Sequence, residues 1–139
     1  MIKIVAYCTP QPQGSMKAFV PKSGKWAGRA VLTSTNTKLK SFRQEVSSAA
    51  LVARQAAGFT DVIFGKHEPV TIFMRFVLQK PPSVAKKREK HVVKPDLSKL
   101  LRATEDALTG IIYADDAQII GANIGKEYGS PERVEIEVS

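Results

Sequence analysis

The sequence predicts an α/β (α+β) fold in which a small mixed sheet packs against two helices, in the order β-α-β-α-β-β. Two segments carry apolar residues at the three-four spacing of an amphipathic helix, four are short and rich in β-branched and aromatic residues, and Gly or Pro clusters separate them. At 139 residues the chain is long enough for one two-layer core and too short for two. No repeat or linker divides it, so residues 1–139 are read as a single domain.

The first strand is IKIVAYC, Ile2 to Cys8. Its apolar run is too short for the core of a signal peptide. Cys8 is the single cysteine, which excludes an internal disulfide and a multi-cysteine zinc site. With His67 and His91 in no recognisable relation to it, it reads as a strand residue rather than a nucleophile. A long, partly ordered arm follows, residues 9–34, with three prolines and three glycines. It interleaves Lys17, Lys22, Lys25 and Arg29 with Phe19 and Trp26. Such loops are usually functional or disordered, and lysines among aromatics suit contact with a nucleic-acid backbone; for Trp26 a packing role is favoured.

From Asn36 the pattern turns helical, with Leu39, Phe42, Val46, Ala49, Ala50 and Ala53 on one face and Gly58 as the stop. Pro69 opens VTIFMRFVLQK, a central strand that Pro81-Pro82 ends. Residues 80–94 hold six basic residues and one acid, Glu89, with no apolar periodicity. They predict an exposed, mobile, positive loop. The second helix begins near Asp96 and ends at Gly110. Leu97, Leu100, Leu101, Thr104, Ala107 and Leu108 form its core face, and Lys99, Arg102 and Asp106 lie opposite. Two short strands, Ala117 to Lys126 and Glu132 to Val138, complete the fold as a hairpin through Gly129, Ser130 and Pro131.

The chain carries 21 Lys and Arg against 13 Asp and Glu, a net +8. That balance favours a polyanion as partner, because neutralised phosphates release counterions. No run approaches the ~18 apolar residues of a membrane span, and the cysteine usage points to a reducing, cytoplasmic setting.

Asp96, Asp115 and Asp116 stand out against this basic background. Taken singly, Asp96 is a helix cap and Asp115-Asp116 a turn. Together they mark a sharp separation of charge: Lys80 to Arg102 holds eight bases and two acids, Ala103 to Asp116 four acids and no base. Carboxylates near a phosphate-binding loop repel the same ligand unless a cation stands between them. Mg²⁺ suits that place, since it takes a few carboxylates and completes its shell with water and phosphate. It would neutralise a scissile phosphate and activate water, and Arg102, on the polar face of the same helix, would add charge stabilisation. Metal-dependent phosphodiester hydrolysis is the reaction this arrangement favours.

Lys94-Pro95-Asp96, Leu100-Leu101, Asp106-Ala107-Leu108-Thr109-Gly110, Tyr113 and Asp115-Asp116-Ala117-Gln118-Ile119 together resemble the central motif of the RusA family of Holliday junction resolvases. PQPQGSMKAF in the arm and the basic loop before Lys94 resemble the family's layout with less specificity. The resemblance implies a homodimeric, Mg²⁺-dependent endonuclease, with Mn²⁺ as a substitute, acting on branched DNA such as a four-way junction. It implies a bacterial cytoplasm, with phage or prophage as a source. Catalytic and metal roles carry over to Asp96 and Asp116, and the basic role to Arg102. Lys17, Lys22, Lys25, Lys86, Lys87, Arg88, Lys94 and Lys99 are the positive positions for DNA.

One departure weakens the match. The family's motif has a second Asp where this chain has Ser98, and Lys99 stands where an asparagine usually follows. Weaker Mg²⁺ binding is the expectation unless Asp115 or Asp106 substitutes. The alternative is a junction-binding module with weakened or lost nuclease activity. Asp106 otherwise predicts an i,i+4 ion pair with Arg102.

Overall fold

A computed structural model describes residues 1–14, 16–20, 22–25, 27–34 and 38–139, with the backbone alone for 16–19 and 31–34. The elements are, in order, strands β1 (Ile2–Ala6), β2 (Met16–Phe19) and β3 (Val31–Ser34), helix α1 (Leu39–Ala56), strand β4 (Val70–Leu78), helix α2 (Leu97–Leu108), and strands β5 (Ile119–Tyr128) and β6 (Arg133–Val138). A single 3₁₀ turn, Asp116–Gln118, leads into β5. Setting aside the β2–β3 pair, this is the predicted β-α-β-α-β-β order. Asn36 and Trp26 lie outside the described residues.

The helices form where the three-four pattern placed them. In α1, Leu39, Phe42, Val46 and Ala50 are buried, and Gly58 ends the helix at φ +87°, a conformation glycine adopts without penalty. In α2 the buried residues are Leu100, Ala103, Thr104, Ala107 and Leu108. Ser47 Oγ donates to the Ala107 carbonyl at 3.0 Å and ties the two helices together. Alternate strand residues Ile4 and Ala6, Ile72, Met74 and Phe76, and Val134, Ile136 and Val138 join them in one core. The opposite sheet face carries the ion pairs Lys3–Glu137 (3.5 Å), Arg75–Glu127 (3.8 Å) and Arg133–Glu135 (2.8 Å).

Strand order in the main sheet is β1-β6-β4-β5. β4 and β5 run parallel, joined through α2, and the other pairings are antiparallel. β4 is therefore central, as predicted, and the expected hairpin between the last two strands does not form. The crossover through α2 fixes β5 on one flank of β4, so β6 pairs on the other, Phe76 with Val134 and Ile72 with Val138. Residues 129–132 carry the chain across the end of β4, where Gly129 N donates to the Leu78 carbonyl at 2.9 Å. A Cβ on Gly129 would lie 2.8 Å from Val77 Cγ1. Only glycine fits that crossing.

Three further expectations change. β2 and β3 pair antiparallel, Met16 with Ser34 and Phe19 with Val31, so the arm holds a hairpin. β1 ends at Ala6, which leaves Cys8 beyond the strand rather than in it. Burial, then the charges of Glu45 and Glu132, push its thiol up to about 11, far from the range of a reactive cysteine. Loop 80–94 is not exposed throughout. His91 is buried against the Tyr128 ring, centroids 4.6 Å apart, and Lys80 Nζ donates to the Lys86 carbonyl at 3.0 Å.

Candidate active site

Asp96 occupies the N-cap position of α2 with extended backbone, φ −68° and ψ 134°, and its carbonyl accepts from the Lys99 and Leu100 amides at 3.1 Å. Its side chain makes no cap hydrogen bond. The carboxylate instead stays exposed, with Lys99 Nζ 4.0 Å from Oδ2. The preceding residues are held from β5: Lys126 Nζ donates to the Val93 carbonyl at 2.5 Å and the Pro95 carbonyl at 2.9 Å. Asp96, Lys94 and Lys99 line a cleft of about 580 Å³ whose other wall is residues 9–14. Gln13 N donates to the Lys99 carbonyl at 2.9 Å and fixes that wall to α2.

The aspartate pair lies at the entrance to β5. Asp115 caps the 3₁₀ turn: its Oδ1 accepts from Ala117 N at 2.9 Å, and Gln118 Oε1 accepts from Asp115 N at 2.8 Å. The bond from Ala117 N, then one from Asp116, hold the Asp115 carboxyl below its usual range. Asp116 moves the other way, raised first by its hydrogen bond with Asp115, then by burial and the charges of Asp115 and Asp106. Glu105 on α2 is raised by burial, then by Asp116 and Asp106, with Arg102 opposing. The negative charges of Asp115, Asp116, Glu105 and Asp106 thus act on one another. Asp96 does not join them: the helix rise of about 1.5 Å per residue sets it roughly 15 Å along the α2 axis from Asp106.

Asp106 does not pair with Arg102. Its partner is Arg43 on α1, Nη2 to Oδ2 2.6 Å, and the same nitrogen donates to Gln13 Oε1. An aspartate thus joins both helices to the amino-terminal segment. Arg102 is exposed on α2, as are Lys86, Lys87, Arg88, Lys94 and Lys99 around the loop and cleft, and Lys22 and Lys25 in the arm. Lys17 lies in β2 with its side chain outside the described residues.

The donor set suits a small hard cation. Asp96 offers oxygens that no cap occupies, and Asp116 sits among negative charges that a cation would relieve. Among the described residues no three His, Cys, Asp or Glu side chains form a ready cage. Mg²⁺ does not need one, because it binds through one or two carboxylates with water and phosphate completing the shell.

The family described as Endodeoxyribonuclease RusA matches residues 10–139, from the cleft wall through both aspartate motifs to the last strand. The chain belongs to the RusA family. Membership implies an endodeoxyribonuclease, a hydrolase that resolves Holliday junctions in DNA recombination. The chain is also 32% identical over 147 aligned positions to the uncharacterized protein YqaN of Bacillus subtilis, covering 99% of this chain and 94% of the relative. No helix among the described residues is long and apolar enough to cross a membrane.

Within this RusA chain, two residues of the site escaped the sequence pattern. Lys126 and Arg43 reach it only through strand pairing and helix packing. Gln118 was visible in the motif but its part was not: Nε2 donates to the Gly65 and Glu68 carbonyls at 2.7 and 2.9 Å, pinning the aspartate turn to the loop before β4.

Proposed function

We propose that the protein is a Mg²⁺-dependent endonuclease, with Mn²⁺ as a substitute, that resolves four-way DNA junctions as a homodimer in the bacterial cytoplasm, encoded by the cell or a resident phage. The observation that carries this reading is the state of Asp96: the motif carboxylate heads α2 yet caps nothing, and it faces a cleft between Lys94 and Lys99. In this reading Asp96 and Asp116 are cation ligands at opposite ends of α2, Asp96 at the cleft and Asp116 at the turn into β5, where Asp115 offers the oxygen its cap leaves over. A bound cation supplies charge neutralisation at the phosphate and an activated water. Lys94 and Lys99 draw the sugar-phosphate chain toward Asp96, while exposed Lys86, Lys87 and Arg88 hold phosphates on either side. Lys22, Lys25 and Lys17 extend the grip along the arm. Arg102 stabilises charge that develops in the transition state. Two copies supply two sites, one for each of two opposed strands.

The test is a synthetic four-way junction incubated with and without Mg²⁺. Symmetric nicks are expected from the wild type. Asp96→Asn and Asp116→Asn should lose cleavage yet bind the junction as tightly or more tightly, since each removes negative charge. Unaltered cutting by both variants removes the proposed site.

A second reading has its own support. Ser98 brings no carboxylate, and Lys99 Nζ stands 4.0 Å from Asp96 where a cation would compete with it. That favours a junction-binding module with weakened or lost nuclease activity. Its signature is salt-sensitive binding without cleavage at any metal concentration, and a gain of nicking on Ser98→Asp.

A further inference from the structure

The endonuclease reading leaves an electrostatic gap at the aspartate turn. Ala103 to Asp116 contains no basic residue, and Arg43 of α1, the cation bound to Asp106, is shared with Gln13. A DNA strand reaching Asp115 and Asp116 would meet Glu105 and both aspartates, with Arg102 the nearby cation of α2. Counter-charge comes from elsewhere in the chain.

It comes from the turn that precedes β4. Gly65 N donates to Glu68 Oε2 at 2.8 Å, and Glu68 N to the Gly65 carbonyl at 3.2 Å, closing a tight loop with Lys66 and His67 at its tip. His67 has φ +72°, the left-handed region that non-glycine residues enter rarely. Gln118 holds this loop by two carbonyls, so the tip cannot drift from the aspartate turn. The two turns line one cleft of about 470 Å³, with Lys66 and His67 facing Asp115 and Gln118. Both basic side chains are exposed. Glu68 spends its carboxylate on the loop itself.

We propose that Lys66 and His67 form a phosphate-binding lip, a subsite for the sugar-phosphate backbone of the DNA strand at the Asp115–Asp116 turn. It is separate from loop 80–94, which serves the Asp96 end of α2. The proposal rests on the endonuclease reading. Lys66 acts as a point charge and the His67 ring N–H as a donor to a non-bridging oxygen.

The experiment measures binding of a labelled four-way junction to the full chain across a salt series. Lys66→Gln combined with His67→Asn is the informative variant, because asparagine tolerates the left-handed backbone. Binding should weaken about three- to tenfold, and the slope of log affinity against log salt should fall by about one. Restoring charge with Lys66→Arg should recover roughly one unit of that slope. Unchanged affinity and slope in a variant with wild-type melting behaviour overturn the lip. Should the wild type bind but never cut, the endonuclease reading fails while the slopes still decide the lip. Failure of the wild type to bind any DNA overturns both.

Discussion

Asp96 and Asp116, the proposed cation ligands, stand in a motif that is local, so their places at the head of α2 and at the turn into β5 were legible along the chain. Lys126 was not legible, since it lies about 30 residues beyond Asp96 and reaches it only because β5 runs parallel to β4. Two charge-assisted bonds from one ammonium to the Val93 and Pro95 carbonyls, on either side of Lys94, make it a positioning residue. Lys126→Met keeps the stem and removes the donors. Stability should drop by about 1–2 kcal/mol in urea unfolding. Junction cutting should fall at least tenfold with KM nearly unchanged, and Lys126→Arg should recover part of it. Equal loss in kcat and binding would show a general structural role instead. Asp106 teaches a related lesson: an i,i+4 pair is available along α2, yet Arg43 from α1 takes the carboxylate because tertiary packing brings it to 2.6 Å.

At the level of elements, both helices and β4 followed from periodicity, whereas loop 80–94 misled because its lysines outnumber its anchor. His91 is that anchor. Burial, then Lys126, lower its pKa from 6.5, and Lys80, above the Tyr128 ring at 5.7 Å, adds positive charge nearby. Among the described residues its Nδ1 and the Tyr128 hydroxyl have no partner. The depressed folded value fixes the sign: the neutral ring contributes stability that is complete above pH 6.5 and lost as pH falls below it. Melting temperature should therefore decline between neutral and mildly acid pH. His91→Phe, which keeps the stack on Tyr128, should flatten that decline, and an identical decline in the variant would assign it to other groups. The connection between β5 and β6 tests differently. Gly129→Ala should cost about 1–3 kcal/mol in chemical denaturation, because Val77 is buried in β4 and has no room to yield. A neutral outcome would mean that the crossing is looser than the 2.8 Å approach indicates.

For the whole molecule, net charge set the class of partner and the alternating strands set the layers, but strand order stayed hidden. Gly129-Ser130-Pro131 is as good a signal for a hairpin as for a crossing, and nothing local separates the two. What separates them is the crossover through α2, a long-range constraint. Its outcome places β6 between β1 and β4, with Ile2 opposite Val138. β6 is the last of the four strands to be synthesised, and β1, the first, pairs with no other strand of the main sheet. Synthesis must therefore run through β6 before β1 can find a partner, and until then the flank of β4 stands open as an unpaired edge. Chains truncated before Arg133 should lose the cooperative unfolding transition and aggregate in light scattering, whereas a folded monomer from such a chain would show that β1 can close the sheet unaided.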